Sequence, residues 1–276
     1  MPIPRPTASE HVVLELSPPF RAAGEHIAVD LPGAQALFTT RRGGVSGGPY
    51  ESLNLGQTAT DATPGDDPRL VAANRSAVIE QVADGSHRFA HGRQVHGHHV
   101  ARVTSTPTGD WEAVRPGAHA ADGQATALHD VAAVVLVADC LPVAIAGEGA
   151  VAMIHAGWRG LAGGVIEAGV RALGELGAAP PLAAAIGPGV GGCCYEVGVE
   201  VHEALADLDG ADLDGELGNG RRIDLKAVAA ARLRAAGVAD VHDVGLCTLC
   251  RDPSLLFSHR RGAGRTGRQA GIVWRR

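Results

Sequence analysis

Two apolar runs in this sequence stop at residues that could do chemistry. Val131–Ala138 is uninterrupted apolar sequence ending at Asp139-Cys140, as expected of a strand buried on both faces whose end carries reactive groups. Val151-Ala152-Met153-Ile154 ends in the same way at His155, which leads into Ala156-Gly-Trp-Arg-Gly160 and a helical pattern. Cys140 and His155 are thereby placed to meet at one sheet edge. His96, in Gln94-Val95-His96-Gly97 ahead of the run Val100–Val103, is a third candidate. One thiolate and two imidazoles match a catalytic zinc site, which takes three protein ligands and leaves a fourth position open to water or substrate. The spacing fits no short metal signature, and each residue also has an ordinary role: a lone cysteine packs, and a strand-end histidine hydrogen-bonds. Without a metal, Cys140 and His155 would make a thiolate–imidazolium pair suited to nucleophilic hydrolysis.

Other strings offer weaker chemistry. Cys247-Thr-Leu-Cys250 looks like half of a zinc knuckle, but the cysteines left to complete it, Cys193 and Cys194, are adjacent in sequence. That is unusual for a tetrahedral site, so no second metal is expected there. Gly187-Pro-Gly-Val-Gly-Gly192 reads as a tight loop delivering Cys193, Cys194, Tyr195 and Glu196 to a pocket. It lacks the lysine of a phosphate-binding loop. Arg41, on the glycine-rich turn Thr39-Thr-Arg-Arg-Gly-Gly44, is a candidate anion anchor because a guanidinium offers two parallel donors. A solvated turn is the equal alternative. Arg260, Arg261, Arg265 and Arg268 read as a solvated basic face.

The elements that must position these groups follow from hydrophobic periodicity. Helices are predicted from Asp67-Pro68 to Gly85, with a capping Asp and Pro at the first position, from Trp158 to Leu176, and from Asp224 to Gly237. Strands are predicted at Leu37–Thr40, Val100–Val103, Val131–Ala138, Val143–Ala146, Val151–His155, Leu182–Ile186, Val241–Leu246 and Gly271–Trp274. Strands intermixed with helices make this an α/β or α+β chain. The stretches 57–68, 105–124 and 209–222 read as loops too short to separate domains, so one domain is expected. The 276 residues are 45% hydrophobic and 20% charged, enough to build a core, while aromatics at 3% mean that Ala, Val, Leu and Ile must fill it. A net charge of −6 argues against nucleic-acid binding, and the single lysine, Lys226, leaves anion binding to arginine. No apolar run approaches the roughly 20 residues of a membrane span, and the proline-bearing Met1–Glu10 is unlike a secretory signal. A reducing cytoplasm is the expected setting for five cysteines, an odd number that does not suit a disulfide framework.

Taken in order, these strings resemble the YfiH/YlmD family, whose members carry the labels purine nucleoside phosphorylase, polyphenol oxidase (laccase) and peptidoglycan editing factor. The resemblance runs from Phe38-Thr-Thr-Arg-Arg-Gly-Gly through Ser52-Leu-Asn-Leu-Gly56, Gln94-Val-His-Gly97, Ala138-Asp-Cys140, His155-Ala-Gly-Trp-Arg-Gly160, Cys193-Cys-Tyr-Glu-Val197 and Cys247-Thr-x-Cys250 to Thr266-Gly-Arg268. It implies a four-layer α-β-β-α sandwich with mixed sheets over residues 36–276, leaving residues 1–35 unplaced. It implies His96, Cys140 and His155 as zinc ligands, with copper an alternative ion. It implies Arg41 as a pocket residue; Asn54, Cys194 and Glu196 are further substrate-binding candidates, and Asp139 joins Cys140 and His155 as a catalytic candidate, to orient a ligand histidine or move protons, with Glu196 the alternative acid or base. The activity implied is phosphorolysis of adenosine, inosine, guanosine and methylthioadenosine, with adenosine deamination, by a cytoplasmic monomer or homodimer. The partners are then small purine nucleosides and phosphate, with no nucleic acid and no membrane. Cys140–His155 hydrolysis of a cell-wall precursor and copper-dependent phenol oxidation are the alternatives. Ser258-His259-Arg260-Arg261-Gly262 stands where the family commonly has Ser-Tyr-Arg-Arg-Asp, so an acidic role there is not expected.

Overall fold

A computed structural model describes residues 15–56, 65–82, 85–107, 120–206 and 222–276. Met1–Glu10 and parts of the three loop stretches lie outside the described residues. The first half contains strands β1 (Arg21–Ala23), β2 (His26–Leu31) and β3 (Ala34–Phe38), helix α1 (Pro68–Gln81), then β4 (Arg88–His91), β5 (Val100–Val103), β6 (Gly123–Thr126) and β7 (Val131–Val137). The second half continues with β8 (Leu141–Glu148), β9 (Ala150–Ala156), α2 (Trp158–Ala162), α3 (Val165–Glu175) and β10 (Ala179–Ile186). Helices α4 (Val199–Leu205) and α5 (Leu225–Ala235) and strands β11 (Val238–Asp243) and β12 (Gln269–Arg275) complete it.

The strands form two six-stranded mixed sheets, in the orders β1-β2-β3-β12-β7-β4 and β11-β10-β8-β9-β6-β5. The apolar run of β7 explains the layering. Its Ala133, Val135 and Val137 pack against Ala144, Val151 and Met153 of the second sheet, while Ala132 and Val134 pack on the opposite side with Val78 and Val82 of α1 and its C-cap. The second sheet repeats the logic: Val143, Ile145, Ala152 and Ile154 face away from the first sheet and bury Ile166, Leu173, Val228 and Leu233 of α3 and α5. Helix, sheet, sheet, helix is therefore the four-layer sandwich that the family resemblance implies.

Local signals explain the helix limits. Asp67 accepts the Arg69 N–H at 2.8 Å with Pro68 at the first position, and Asp224 caps α5 through Lys226 N–H and Ala227 N–H. The predicted helix Trp158–Leu176 is two helices, α2 and α3, because Gly164 takes a left-handed φ of 85° between them. Strand β11 begins earlier than Val241 because Gly237, at φ 90°, turns the chain directly out of α5. The hairpin β1–β2, strands β4 and β6, and α4 carry too short a pattern to be read from periodicity. Among the described residues no helix is long and apolar enough to cross a membrane.

Candidate metal centre and its cavity

Strand register places the first two site residues. β8 and β9 run antiparallel with Leu141 opposite Ala156 and Pro142 opposite His155, so Cys140, just before β8, stands beside His155 at the sheet end. The turn that presents Cys140 has Asp139 at φ 90°, a strained value for a non-glycine residue. His96 arrives from the β4–β5 connection, also in the left-handed region at φ 60°. The ligand atoms of His96, Cys140 and His155 all lie within 4.8 Å of one another. The two imidazole rings stand 4.9 Å apart, nearly edge to face. A Cβ on Gly157 would lie 3.0 Å from the Cys140 sulfur and 3.4 Å from His96 Cδ2, so glycine there keeps the centre open.

Asp122 holds this arrangement together. It is fully buried at the start of β6, and its carboxylate accepts the N–H groups of Val95, His96 and Gly97 at 3.1, 2.9 and 2.8 Å. The same carboxylate receives His155 Nδ1 at 2.8 Å. One group thus fixes the loop carrying His96 and orients the His155 ring, leaving Nε2 for the centre, as a carboxylate behind a metal-ligating histidine does. Burial would raise the Asp122 pKa, but the His155 and amide hydrogen bonds outweigh it and hold it below the usual range. Burial would likewise raise the Cys140 thiol, yet the charge and hydrogen bonds of His155 and His96 bring it down to about 6. His155, which burial alone would lower, is raised to about 9 by the Cys140 thiolate and Asp122. A thiolate is therefore ready at neutral pH to bind a cation or to act as a nucleophile.

The centre forms part of the wall of a cavity of about 560 Å³, within the range of small-molecule sites. Its wall includes Arg75, Arg93, Arg159, Arg260 and Arg268 together with Trp158 and Tyr195. The Arg260 guanidinium lies 4.6 Å over the Tyr195 ring. Arg268 is half-buried, with its guanidinium on the carbonyls of Thr266 and Gly267 at 3.2 and 3.0 Å. Arg75 sends two donors to the Leu55 carbonyl; burial lowers its pKa to about 10, which still leaves it cationic. His91 also lines the cavity, kept neutral by a pKa of about 4 that burial and then Arg75 impose.

The other predicted residues distribute unevenly. Arg41 does not line the cavity: its Nε and Nη1 donate to the Glu51 and Pro253 carbonyls, and it stacks 4.5 Å over Phe257. Asn54 is buried behind the wall, where its Oδ1 accepts the Gly56 and Arg268 N–H groups. Glu196 is exposed and paired with Arg222 at 3.0 Å. Asp139 lines the cavity, but its oxygens accept Thr248 Oγ1 at 2.6 Å and the Arg260 N–H at 2.8 Å, and the carboxylate on His155 is Asp122 instead. Cys194 joins Cys193, Cys247 and Cys250 in a separate cluster. Arg260 and Arg268, read as a solvated face, are cavity residues because the turns that carry them fold over Asp139 and Asn54. The one sequence hint to Asp122 is that Ala121-Asp122 repeats the Ala138-Asp139 pairing of a small apolar residue with an acid at a strand boundary.

Fold and centre together define a class: a two-sheet α/β protein with a His-Cys-His site at a sheet end, facing an arginine-lined cavity. Residues 35–276 match the family described as multi-copper polyphenol oxidoreductase laccase, and the chain belongs to that family. A Streptomyces coelicolor relative named purine nucleoside phosphorylase is 42% identical over 246 residues, covering 88% of this chain and 96% of the relative. A Xylella fastidiosa relative of the same name is 40% identical over 253 residues, covering 88% and 93%. Among solved structures, Bacillus licheniformis hypothetical protein YfiH superposes with TM-score 0.82 at 29% identity, over 94% of this chain and 100% of that one. YlmD from Geobacillus stearothermophilus gives 0.78 at 34% identity, over 93% and 98%.

Proposed function

We propose that this chain is a zinc-dependent purine nucleoside phosphorylase acting on adenosine, inosine, guanosine and methylthioadenosine, with adenosine deaminase activity in the same cavity. The observation that carries the reading is a centre of three metal-competent side chains facing a cavity lined by arginines and aromatic rings. The names of the Streptomyces and Xylella relatives support it. His96, Cys140 and His155 would hold the ion, and the donor set fits: a thiolate, two imidazoles and a carboxylate behind one of them. When bound there, zinc would supply Lewis acidity and acidify water toward a pKa of about 7.

The side chains carry the rest. In phosphorolysis a phosphate oxygen bonds to the sugar anomeric carbon while the glycosidic C–N bond breaks and its electron pair passes to the base. Arg268 and Arg260, on the cavity wall, would hold the phosphate through guanidinium donors. Trp158 and Tyr195, each stacked on one face by an arginine, would border the purine, and burial raises the Tyr195 hydroxyl pKa, so it keeps its proton and can hydrogen-bond the departing base. Asp139, fixed by Thr248 and the Arg260 N–H, is a positioning residue for Arg260.

Incubation of zinc-quantified protein with adenosine and inosine, with and without phosphate, tests this. Phosphate-dependent base release is expected from both, and ammonia from adenosine. No turnover at full zinc loading would reject it. One observation favours a second reading: Cys140, His155 and Asp122 form a thiolate–imidazole–carboxylate series able to hydrolyse an amide without metal. That reading leaves His96 only as a second imidazole supporting the thiolate and predicts activity after zinc removal. Copper-based phenol oxidation has less support, because the metal-competent groups among the described residues are this centre and a four-cysteine cluster.

A further inference from the structure

Beyond the cavity, the loop 187–196 and the turn at 247–250 come together at the surface. Cys193, Cys194, Cys247 and Cys250 place all four sulfurs within 4.8 Å of one another. The Cys193 and Cys250 sulfurs are 3.6 Å apart. A zinc ion bound by thiolates at about 2.3 Å puts tetrahedral neighbours about 3.8 Å apart, so this spacing is that of ligand edges. The Gly191 N–H donates to the Cys247 sulfur at 3.2 Å, and the N–H groups of Leu249 and Cys250 lie against the same sulfur. Backbone amides turned onto the first sulfur of a Cys-x-x-Cys turn hold it facing the other three. A Cβ on Gly191 would sit 3.2 Å from the Cys193 sulfur and 3.6 Å from that of Cys247, so the loop is closed tightly over the group.

We propose that these four cysteines bind a structural zinc ion that clamps the loop 187–196 to the turn 247–250. Binding converts up to four thiols to thiolates and releases their protons to solvent, with no change of oxidation state. Four protein sulfurs fill the tetrahedron, so the site has no open position and no catalytic part. Its effect is mechanical. The loop carries Val190 and Tyr195 of the cavity wall, and the turn carries Thr248, which donates to Asp139, and two carbonyls that accept from Arg261. Adjacent cysteines look unsuited to one ion in the sequence; the turn at 192–194 brings both sulfurs into the same group.

The test uses the full chain purified under reducing conditions, with zinc counted per chain. His155→Ala removes the first centre, so any zinc it retains reports on the cysteines alone, whatever the fate of the proposed activity. One zinc per chain is expected in His155→Ala, and none when Cys193→Ser and Cys250→Ser are added. Cobalt added to zinc-free His155→Ala protein should develop, at one equivalent, the strong sulfur-to-cobalt charge-transfer band of a tetrathiolate; this measurement stands even if the serine variants do not fold. Zinc-free His155→Ala with no cobalt band, zinc retained in the folded serine variant, or a Cys193–Cys250 disulfide in freshly alkylated protein would each overturn the proposal.

Discussion

The two cysteine-bearing regions of this protein use similar atoms for opposite ends. At the end of the second sheet, one sulfur and two imidazoles converge against a buried carboxylate and face a cavity. On the surface, four sulfurs converge against backbone amides, with side chains enough to complete a tetrahedron. The number of protein donors, three or four, separates a centre that can act on substrate from one that can only fasten chain to chain. The supports differ accordingly. Asp122 orients an imidazole and tunes its charge, whereas the amides around Cys247 hold its sulfur facing the other three.

The contrast can be broken most directly at Cys140. Cys140→Ala is expected to reduce phosphate-dependent base release by about 10³-fold or more, since loss of the metal removes several kcal/mol of transition-state stabilisation. Zinc per chain should fall by one while the surface cluster keeps its ion; loss of both ions would show that the two regions are not independent. Asp122→Asn is next: zinc affinity or turnover should weaken by about 10- to 100-fold, the usual cost of losing a carboxylate behind a ligating histidine. An equilibrium zinc titration and kcat/KM would show whether Asp122 tunes the centre or only shapes the loop. Arg268→Ala should raise KM for phosphate by about 10-fold or more, from a charge-assisted hydrogen bond worth about 1.5–3 kcal/mol. Arg41→Ala should leave that KM unchanged and lower the melting temperature instead, because Arg41 stands outside the cavity wall and ties Glu51 and Pro253 together through their carbonyls. The smallest effect concerns pH. In zinc-free protein, Cys140 alkylation by iodoacetamide should be half-maximal near pH 6 and fall below it, where the thiolate gains its proton, because His155 lowers this pKa. Zinc should suppress the reaction across that range, and a midpoint near 8 or 9 would show that the imidazoles do not act on the sulfur.

Much of the scaffold was legible because periodicity records burial. The unbroken apolar run of β7 reports two buried faces, and Asp67-Pro68 and Asp224 report helix starts, since each signal arises from local physics. The strand-end positions of Cys140 and His155 likewise made their meeting readable before any register was known. Asp122 was not readable: a single acid ahead of Gly-Gln-Ala-Thr has no periodic partner, and its value lies in four donors drawn from residues 95–97 and 155. Arg41 stayed open for the complementary reason, because a glycine-rich turn with arginines looks the same whether the guanidinium faces a cavity or its own neighbouring carbonyls.

By itself, then, the sequence determined the apolar patterning, the cap positions and the reactive side chains that stand at strand ends, because these depend on residues a few positions apart. Tertiary structure decided which arginines reach the cavity, which carboxylate stands behind His155, and that adjacent Cys193 and Cys194 turn toward a Cys-x-x-Cys pair more than fifty positions away. Those outcomes depend on the direction of a side chain in space, set by sheet register and by left-handed turns at His96 and Asp139, and no local pattern encodes a direction that only distant packing imposes.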